Sequence, residues 1–392
     1  MKRIRSKILA AVACILAVTG AFSLFGTKTK AETEISTDEV SLGINAKGVY
    51  LMEASSGAVL YSEDSTRQGS PASVTKIMTL LLVCEALEAG SFSTEDKVTV
   101  SAYAASMGGS QVFLEEGERL SVEELIKCTV IASANDAAVA LAELTAGSES
   151  AFVARMNKRA KELGLGNTSF ENVTGLDDTT VNHYSCPRDI ALMSRELLKY
   201  DIILKYSGTW QDTIRGGEFT LTNTNRLVRY YEGCNGLKTG STDKAGFCVS
   251  TTAKRGDMQL IAVVMGAPTK EDRNEAARAL LDYGFSTYGV YKTGEEYLEV
   301  CPVNHGVADG VPLYSKGVSF VTERALLSEI EREYSIPESL SSPIQKGEAV
   351  GKVIYRIGDR VLCEAEIYAG ESVEVISFFE ILLRIIKKVV IG

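Results

Sequence analysis

The sequence predicts an α/β protein in which a sheet lobe, built from both ends of one domain, carries an inserted helical lobe. Strand patterns occupy residues 48–61, helical patterns dominate 84–205, and strand patterns return over 217–266. A small β-rich domain and a C-terminal amphipathic helix are expected to follow. A cleft between the two lobes is the place to look for a site.

In chain order, Gly48 to Met52 and Ala58 to Tyr61 form a hairpin across Ser55-Ser56-Gly57. Pro71-Ala72-Ser73-Val74-Thr75-Lys76 then opens a buried helix that ends near Gly90. Ser121 starts a capping signature, Ser-Val-Glu-Glu, ahead of an apolar run. After a break at Ser133-Ala134-Asn135, helices are expected over Asp136–Leu144, Phe152–Leu163 and Asp189–Tyr200. Between the last two lies a long irregular stretch, Gly166 to Pro187, and such loops are often functional. Phe247 to Ala253 and Gln259 to Met265 form a second hairpin, whose Arg255-Gly256-Asp257 reads as a turn and not an adhesion signal. Glu271 to Tyr283 closes the domain as a helix with Gly284 as its cap. Beyond 290, the clearest element is a hairpin with Gly358-Asp359 at its turn.

Composition narrows the function classes. With 45% apolar and 23% charged residues the chain falls among globular proteins, and a net charge of −10 argues against nucleic acid as a partner. Four basic residues precede the apolar run Ile8–Phe25, and small residues follow, which reads as an export signal over 1–31, cleaved after Ala31. An uncleaved anchor is the alternative. Removing the signal takes away six basic residues and leaves a mature charge of −16. The remaining cysteines are odd in number and lack C-x-x-C or His/Cys spacing, so buried thiols are expected instead of disulfides, a zinc site or a redox motif.

The domain boundaries follow: a linker over 32–43, the principal domain over 44–286, the β-rich domain over 290–372, and a tail over 376–392. In that tail Glu380, Arg384, Lys387 and Lys388 share one narrow face of an otherwise apolar helix. Seventeen residues reach roughly 25 Å, short of a span. An in-plane membrane helix fits better than a helix packed on another domain.

Three short motifs carry the chemistry. Ser73 and Lys76 stand three apart on a first helical turn, a nucleophile beside a potential base. Ser133 and Asn135 offer a hydroxyl and an amide from one tight corner. Lys238-Thr239-Gly240-Ser241-Thr242 is expected to begin a strand, its glycine permitting another chain to approach closely. Each motif alone is a common accident. Their order and spacing, Ser-x-Asn about 57 residues after Ser-x-x-Lys and Lys-Thr-Gly about 103 further, are specific.

With these motifs the chain resembles the penicillin-recognising serine acyl-transferases, and among them the low-molecular-mass D-alanyl-D-alanine carboxypeptidases. Gly175-Leu176-Asp177 and His183-Tyr184-Ser185 also match. The resemblance implies a β-lactamase/transpeptidase-like two-lobe fold and a penicillin-sensitive peptidase that trims peptidoglycan stem peptides. It implies Ser73 as nucleophile, Lys76 as base with its pKa lowered by burial and Lys238, and Ser133 as proton relay. Asn135 would hold the substrate amide, while Lys238, Thr239 and Thr242 would bind the free carboxylate. The oxyanion hole would use the backbone N–H groups of Ser73 and Ser241. No cofactor or metal is implied. Expected partners are stem peptides, β-lactams as covalent inhibitors, and the outer face of the cytoplasmic membrane through the C-terminal helix.

Histidine-based catalysis has little room, since only His183 and His305 exist and no Gly-x-Ser-x-Gly elbow is present. His183 is assigned a structural or rim role. A β-lactamase would share the motifs, with Glu171 in the region of its deacylating glutamate, but the residues around Gly175 and His183 favour the carboxypeptidases. A non-catalytic peptidoglycan-binding protein would have no need of the full set of reactive residues.

Overall fold

The computed structural model describes residues 40–391. The expected signal (1–31) and most of the linker (32–43) lie outside the described residues.

An antiparallel five-stranded sheet organises the first domain. Its strands are β1 (Gly48–Glu53), β2 (Val59–Glu63), β3 (Cys234–Thr242), β4 (Gly246–Arg255) and β5 (Met258–Ala267), in the order β2-β1-β5-β4-β3. Every residue of β1 is buried. Successive side chains point to opposite faces, so Tyr50 and Met52 enter the core of the helical lobe while Val49 and Leu51 enter a second core. Residues of β5 divide in the same way: Ile261 and Val263 on one side, Leu260 and Ala262 on the other. A sheet covered on both faces explains why these strands read as continuous apolar runs.

The inserted lobe is built around α1 (Lys76–Glu88), which a single turn of 3-10 helix, Ala72–Thr75, precedes. Nine consecutive residues from Lys76 to Cys84 are buried, so this helix is apolar all round and sits in the middle of its lobe. Around it lie α2 (Val122–Ile131), α3 (Asn135–Ala146), α4 (Glu149–Glu162) and α5 (Pro187–Leu197). At the start of α2, Ser121 and Glu124 form a reciprocal capping box.

Two expectations are corrected. The closing helix α6 spans Lys270–Thr287, so Gly284 is inside it and does not cap it. A Cβ there would lie 2.6 Å from Leu260 Cδ1 and 3.0 Å from Leu51 Cδ2, so this glycine lets the helix axis approach the sheet. Lys238-Thr239-Gly240 lies in the middle of β3, not at its start, because the strand begins four residues earlier at Cys234.

Beyond α6, six strands between Glu296 and Ala369 form a second sheet with its own core around Val311, Leu313, Tyr355 and Ile367. The hairpin across Gly358-Asp359 is part of it. The tail forms α7 (Phe378–Ile391). Among the described residues no single helix is long and apolar enough to cross a membrane, and no described cysteine forms a disulfide.

Candidate active site

The fold brings Ser73, Lys76, Ser133, Asn135 and Lys238 together where the helical lobe meets β3. Ser73 sits in the 3-10 turn, and the residue before it, Ala72, is held at φ +47°. Ser133 is also in the left-handed region, at φ +63°. Strained backbone on a non-glycine residue persists only where the surroundings fix it, and here it accompanies both serines. A cleft of about 580 Å³ is lined by Ser73, Ser133, Thr239, Gly240, Ser241 and Arg273.

Beside Ser73, Lys76 is fully buried. Its Nζ lies 2.6 Å from Asn135 Oδ1, 2.8 Å from the Thr174 carbonyl oxygen and 2.9 Å from Ser73 Oγ. Burial, and then the charge of Lys238, hold its pKa well below the usual lysine range. A neutral amine has two N–H donors and one lone pair. Two of the three neighbours can only accept, so the lone pair is left for the one that can donate, the Ser73 hydroxyl.

Gly240 brings the edge of β3 against Ser73. A Cβ there would lie 2.7 Å from the Ser73 amide nitrogen, which leaves room for glycine only. Lys238 is buried beside it and donates to the Thr239 carbonyl at 2.9 Å. Burial first, and Arg273 second, lower its pKa to about 7. Arg273, from the first turn of α6, is itself buried, which brings its pKa to about 10.

Two expected binding residues have other partners. Thr242 donates its hydroxyl to Asp177 Oδ2 at 2.6 Å and does not line the cleft. Asn135 accepts from Lys76 through its carbonyl and donates one amide N–H to the Gly108 carbonyl, at 2.7 Å, so it helps to position the lysine.

Sequence reasoning missed Arg273 and the part played by the irregular stretch. Arg273, Ala276, Ala277 and Leu280 recur at the spacing of one helix face, and a cation on an apolar face was the available signal. The stretch itself packs against the 3-10 turn that carries Ser73. Gly175, at φ +85°, passes so close that a Cβ would lie 1.8 Å from the Ala72 carbonyl oxygen. Asp177 accepts from Ser70 Oγ at 2.6 Å as well as from Thr242. His183 is buried; its Nδ1 accepts from the Glu171 amide at 3.1 Å, so Nε2 carries the proton and donates to Thr75 Oγ1 at 2.8 Å.

Residues 32–269 match the family model described as D-alanyl-D-alanine carboxypeptidase. The chain belongs to that family. Residues 285–375 match a second model, the C-terminal domain of penicillin-binding protein 5. The D-alanyl-D-alanine carboxypeptidase DacF of Bacillus subtilis is 41% identical, over 98% of both chains. Penicillin-binding protein 5 of Haemophilus influenzae superposes with a TM-score of 0.74 at 31% identity, over 84% of this chain and 98% of that one. Penicillin-binding protein D2 of Listeria monocytogenes, solved in an ampicillin-bound form, gives 0.58 at 30% identity, over 63% of this chain and 100% of its own. The two-lobe transpeptidase-like fold and the serine D-alanyl-D-alanine carboxypeptidase class both stand.

Burial lowers the His183 pKa from 6.5 to about 4. Above pH 6.5 the ring is neutral folded and unfolded, and contributes no pH dependence. As pH falls from 6.5 to 4 the unfolded chain takes up the proton first, so the carboxypeptidase loses up to about 3 kcal/mol of stability in that window. Urea unfolding at pH 7, 5.5 and 4 should show this loss in the wild type and not in His183→Gln. Parallel curves would refute it.

Proposed function

We propose that Ser73 is the nucleophile of a penicillin-sensitive D-alanyl-D-alanine carboxypeptidase, acting on peptidoglycan stem peptides. The observation that carries the assignment is the buried Lys76 Nζ, its pKa lowered by burial and Lys238, at 2.9 Å from Ser73 Oγ. In acylation Lys76 Nζ takes the hydroxyl proton while Ser73 Oγ bonds to the carbonyl carbon of the penultimate D-alanine. The C–N bond then breaks, and the amine of the departing D-alanine receives a proton through Ser133. Water hydrolyses the acyl-enzyme.

β3 is the edge strand of its sheet, so an extended peptide can add alongside it in antiparallel register. The substrate's terminal carboxylate then meets Lys238, Thr239 and Arg273. The developing oxyanion meets the backbone N–H groups of Ser73 and Ser241, which the close approach at Gly240 supports.

Ser73→Ala should abolish both D-alanine release from diacetyl-lysyl-D-alanyl-D-alanine and the covalent benzylpenicillin adduct seen by intact-mass spectrometry. An adduct on the variant would remove Ser73 from its role. Rapid penicillin turnover without D-alanine release by the wild type would instead indicate a β-lactamase.

The pH profile separates the two lysines. Below its lowered pKa Lys76 is protonated and cannot act as base, so kcat/KM falls on the acid side. Lys238 must be charged to hold a carboxylate and loses its proton above about pH 7, which gives an alkaline fall. Lys238→Arg, whose cation persists to high pH, should move only the alkaline limb upwards. An unmoved limb would mean that another group titrates there.

The enzyme is placed, on this reading, outside the cytoplasmic membrane and against it. Arg384 of α7 pairs with Asp309 of the second domain at 2.8 Å, while Phe378, Phe379 and Leu383 are exposed. Arg384 of the polar face is turned to the protein while these apolar residues lie outwards, unlike a helix packed on a soluble core. Deleting residues 376–392 should release active enzyme into the soluble fraction of cells. Retention in the membrane fraction would overturn the anchor.

A further inference from the structure

Upstream of Thr239 the free edge of β3 is covered by residues 223–227. The Asn225 side-chain amide donates to the Gly236 carbonyl at 2.9 Å, and the Thr239 and Thr224 hydroxyls share a hydrogen bond of 2.7 Å. This segment is itself fixed, since buried Asn223 donates to the Ser207 and Thr209 carbonyls, both at 2.9 Å. A peptide added antiparallel along the downstream half of β3, with its C-terminus at Thr239, therefore ends against residues 223–227. The residue that leaves is the one that meets them.

Three cations line the same cleft as Ser73 and Thr239: Arg226 from this segment, and Lys270 and Arg273 from the first turn of α6. Among the described residues none of those lining the cleft is acidic, in a chain of net charge −10. Arg226 stands near enough to Arg273 for its charge to help lower that pKa. Neither Arg226 nor Lys270 has an ion-pair partner among the described residues. Cations in a first turn oppose the helix dipole, so helix stability does not account for Lys270 and Arg273. Glu271 and Asp272 of the same turn do not line the cleft. Trp210 and Tyr230 complete this part of the lining, their ring centroids 6.4 Å apart, with the Arg229 guanidinium over both rings at 5.3 and 5.6 Å.

A single carboxylate on Lys238, Thr239 and Arg273 leaves Arg226 and Lys270 uncompensated. Lys270 lies three residues before Arg273 on one helix, so their Cβ atoms stand about 5–6 Å apart. The two carboxyl carbons of a glutamate, separated by four bonds, span about 5 Å. A leaving residue whose α-carboxylate is held at Arg273 can therefore set a side-chain carboxylate between Lys270 and Arg226, with its methylenes towards Trp210 and Tyr230. We propose that Arg226 and Lys270 form a subsite for an acidic side chain on the residue that the enzyme releases. The inference rests on the carboxypeptidase reading and deepens it: D-alanyl peptides that end in an acidic D-residue are substrates alongside those that end in D-alanine.

The test uses diacetyl-lysyl-D-alanyl peptides ending in D-glutamate or in D-glutamine, beside the one ending in D-alanine. The first two share length and α-carboxylate, so contacts at Lys238 and Arg273 cancel in the ratio of their rates. Wild type should release D-glutamate with kcat/KM about fivefold above that for D-glutamine, consistent with two exposed charge contacts. The preference should shrink in about 0.5 M salt. In the double variant Arg226→Gln, Lys270→Gln the ratio should fall to near one. Each ratio is read within one protein, so partial misfolding lowers both rates and leaves it unchanged. Equal rates for the two in the wild type, release of D-alanine but of neither larger residue, or a ratio that survives the double substitution would overturn the subsite alone. Failure of the wild type to release D-alanine would overturn the carboxypeptidase reading and the subsite with it.

Discussion

Burial of a lysine amine without a paired carboxylate favours its neutral form and requires every polar atom it presents to be matched. The amine of Lys76 meets that condition with partners from three separate parts of the chain: its own helical turn, the start of α3, and the irregular stretch after α4. Each of these must be in place to about half an ångström for the other two contacts to hold. The helical lobe and its long loop are therefore built around one nitrogen. Removing the Asn135 side chain leaves a buried donor without an acceptor, at a cost of about 1–3 kcal/mol.

This requirement accounts for a segment that would otherwise look wasteful. A stretch of some twenty residues without regular structure has to satisfy its own backbone polar groups, and it does so by bonding to the nucleophile's surroundings. Asn172 accepts from the amides of Thr174 and Gly175 at 3.2 and 2.7 Å, which turns the Thr174 carbonyl towards Lys76. Asp177 ties Ser70 to Thr242, so one carboxylate links the approach to the nucleophile with the end of β3. His183 joins the same stretch to Thr75. These bonds make the loop part of the rigid site, not a cover over it.

What the sequence disclosed was whatever depends on neighbours along the chain. The hairpin at Gly57, the capping box at Ser121 and the turn at Gly358 are local patterns, and each formed as read. The three catalytic motifs were legible because their order and spacing are jointly improbable. What depends on partners through space was not legible. Nothing in the spacing says that Thr242 faces Asp177 and not the cleft, or that Asn135 is already occupied by Lys76. Gly284 illustrates the same limit: a glycine near a helix end resembles a cap, and only the proximity of Leu260 and Leu51 shows that it is a packing groove.

The cations beside Lys76 also set its chemistry. After burial, Lys238 is the next cause that lowers the Lys76 pKa, and Arg273 acts on Lys238 in turn, so positive charges crowd one side of the base. On the proposed reading a substrate carboxylate arriving at Lys238 and Arg273 cancels part of that charge. In a site of low polarity such a change is felt over several ångströms. The proton affinity of Lys76 then rises at the moment the Ser73 proton has to be accepted, and falls again when the released D-alanine carries its carboxylate away. A substrate without that carboxylate would fill the cleft yet leave the base weak. The requirement for a free C-terminus thus follows from the electrostatics of the base as well as from the contacts that hold the end of the peptide.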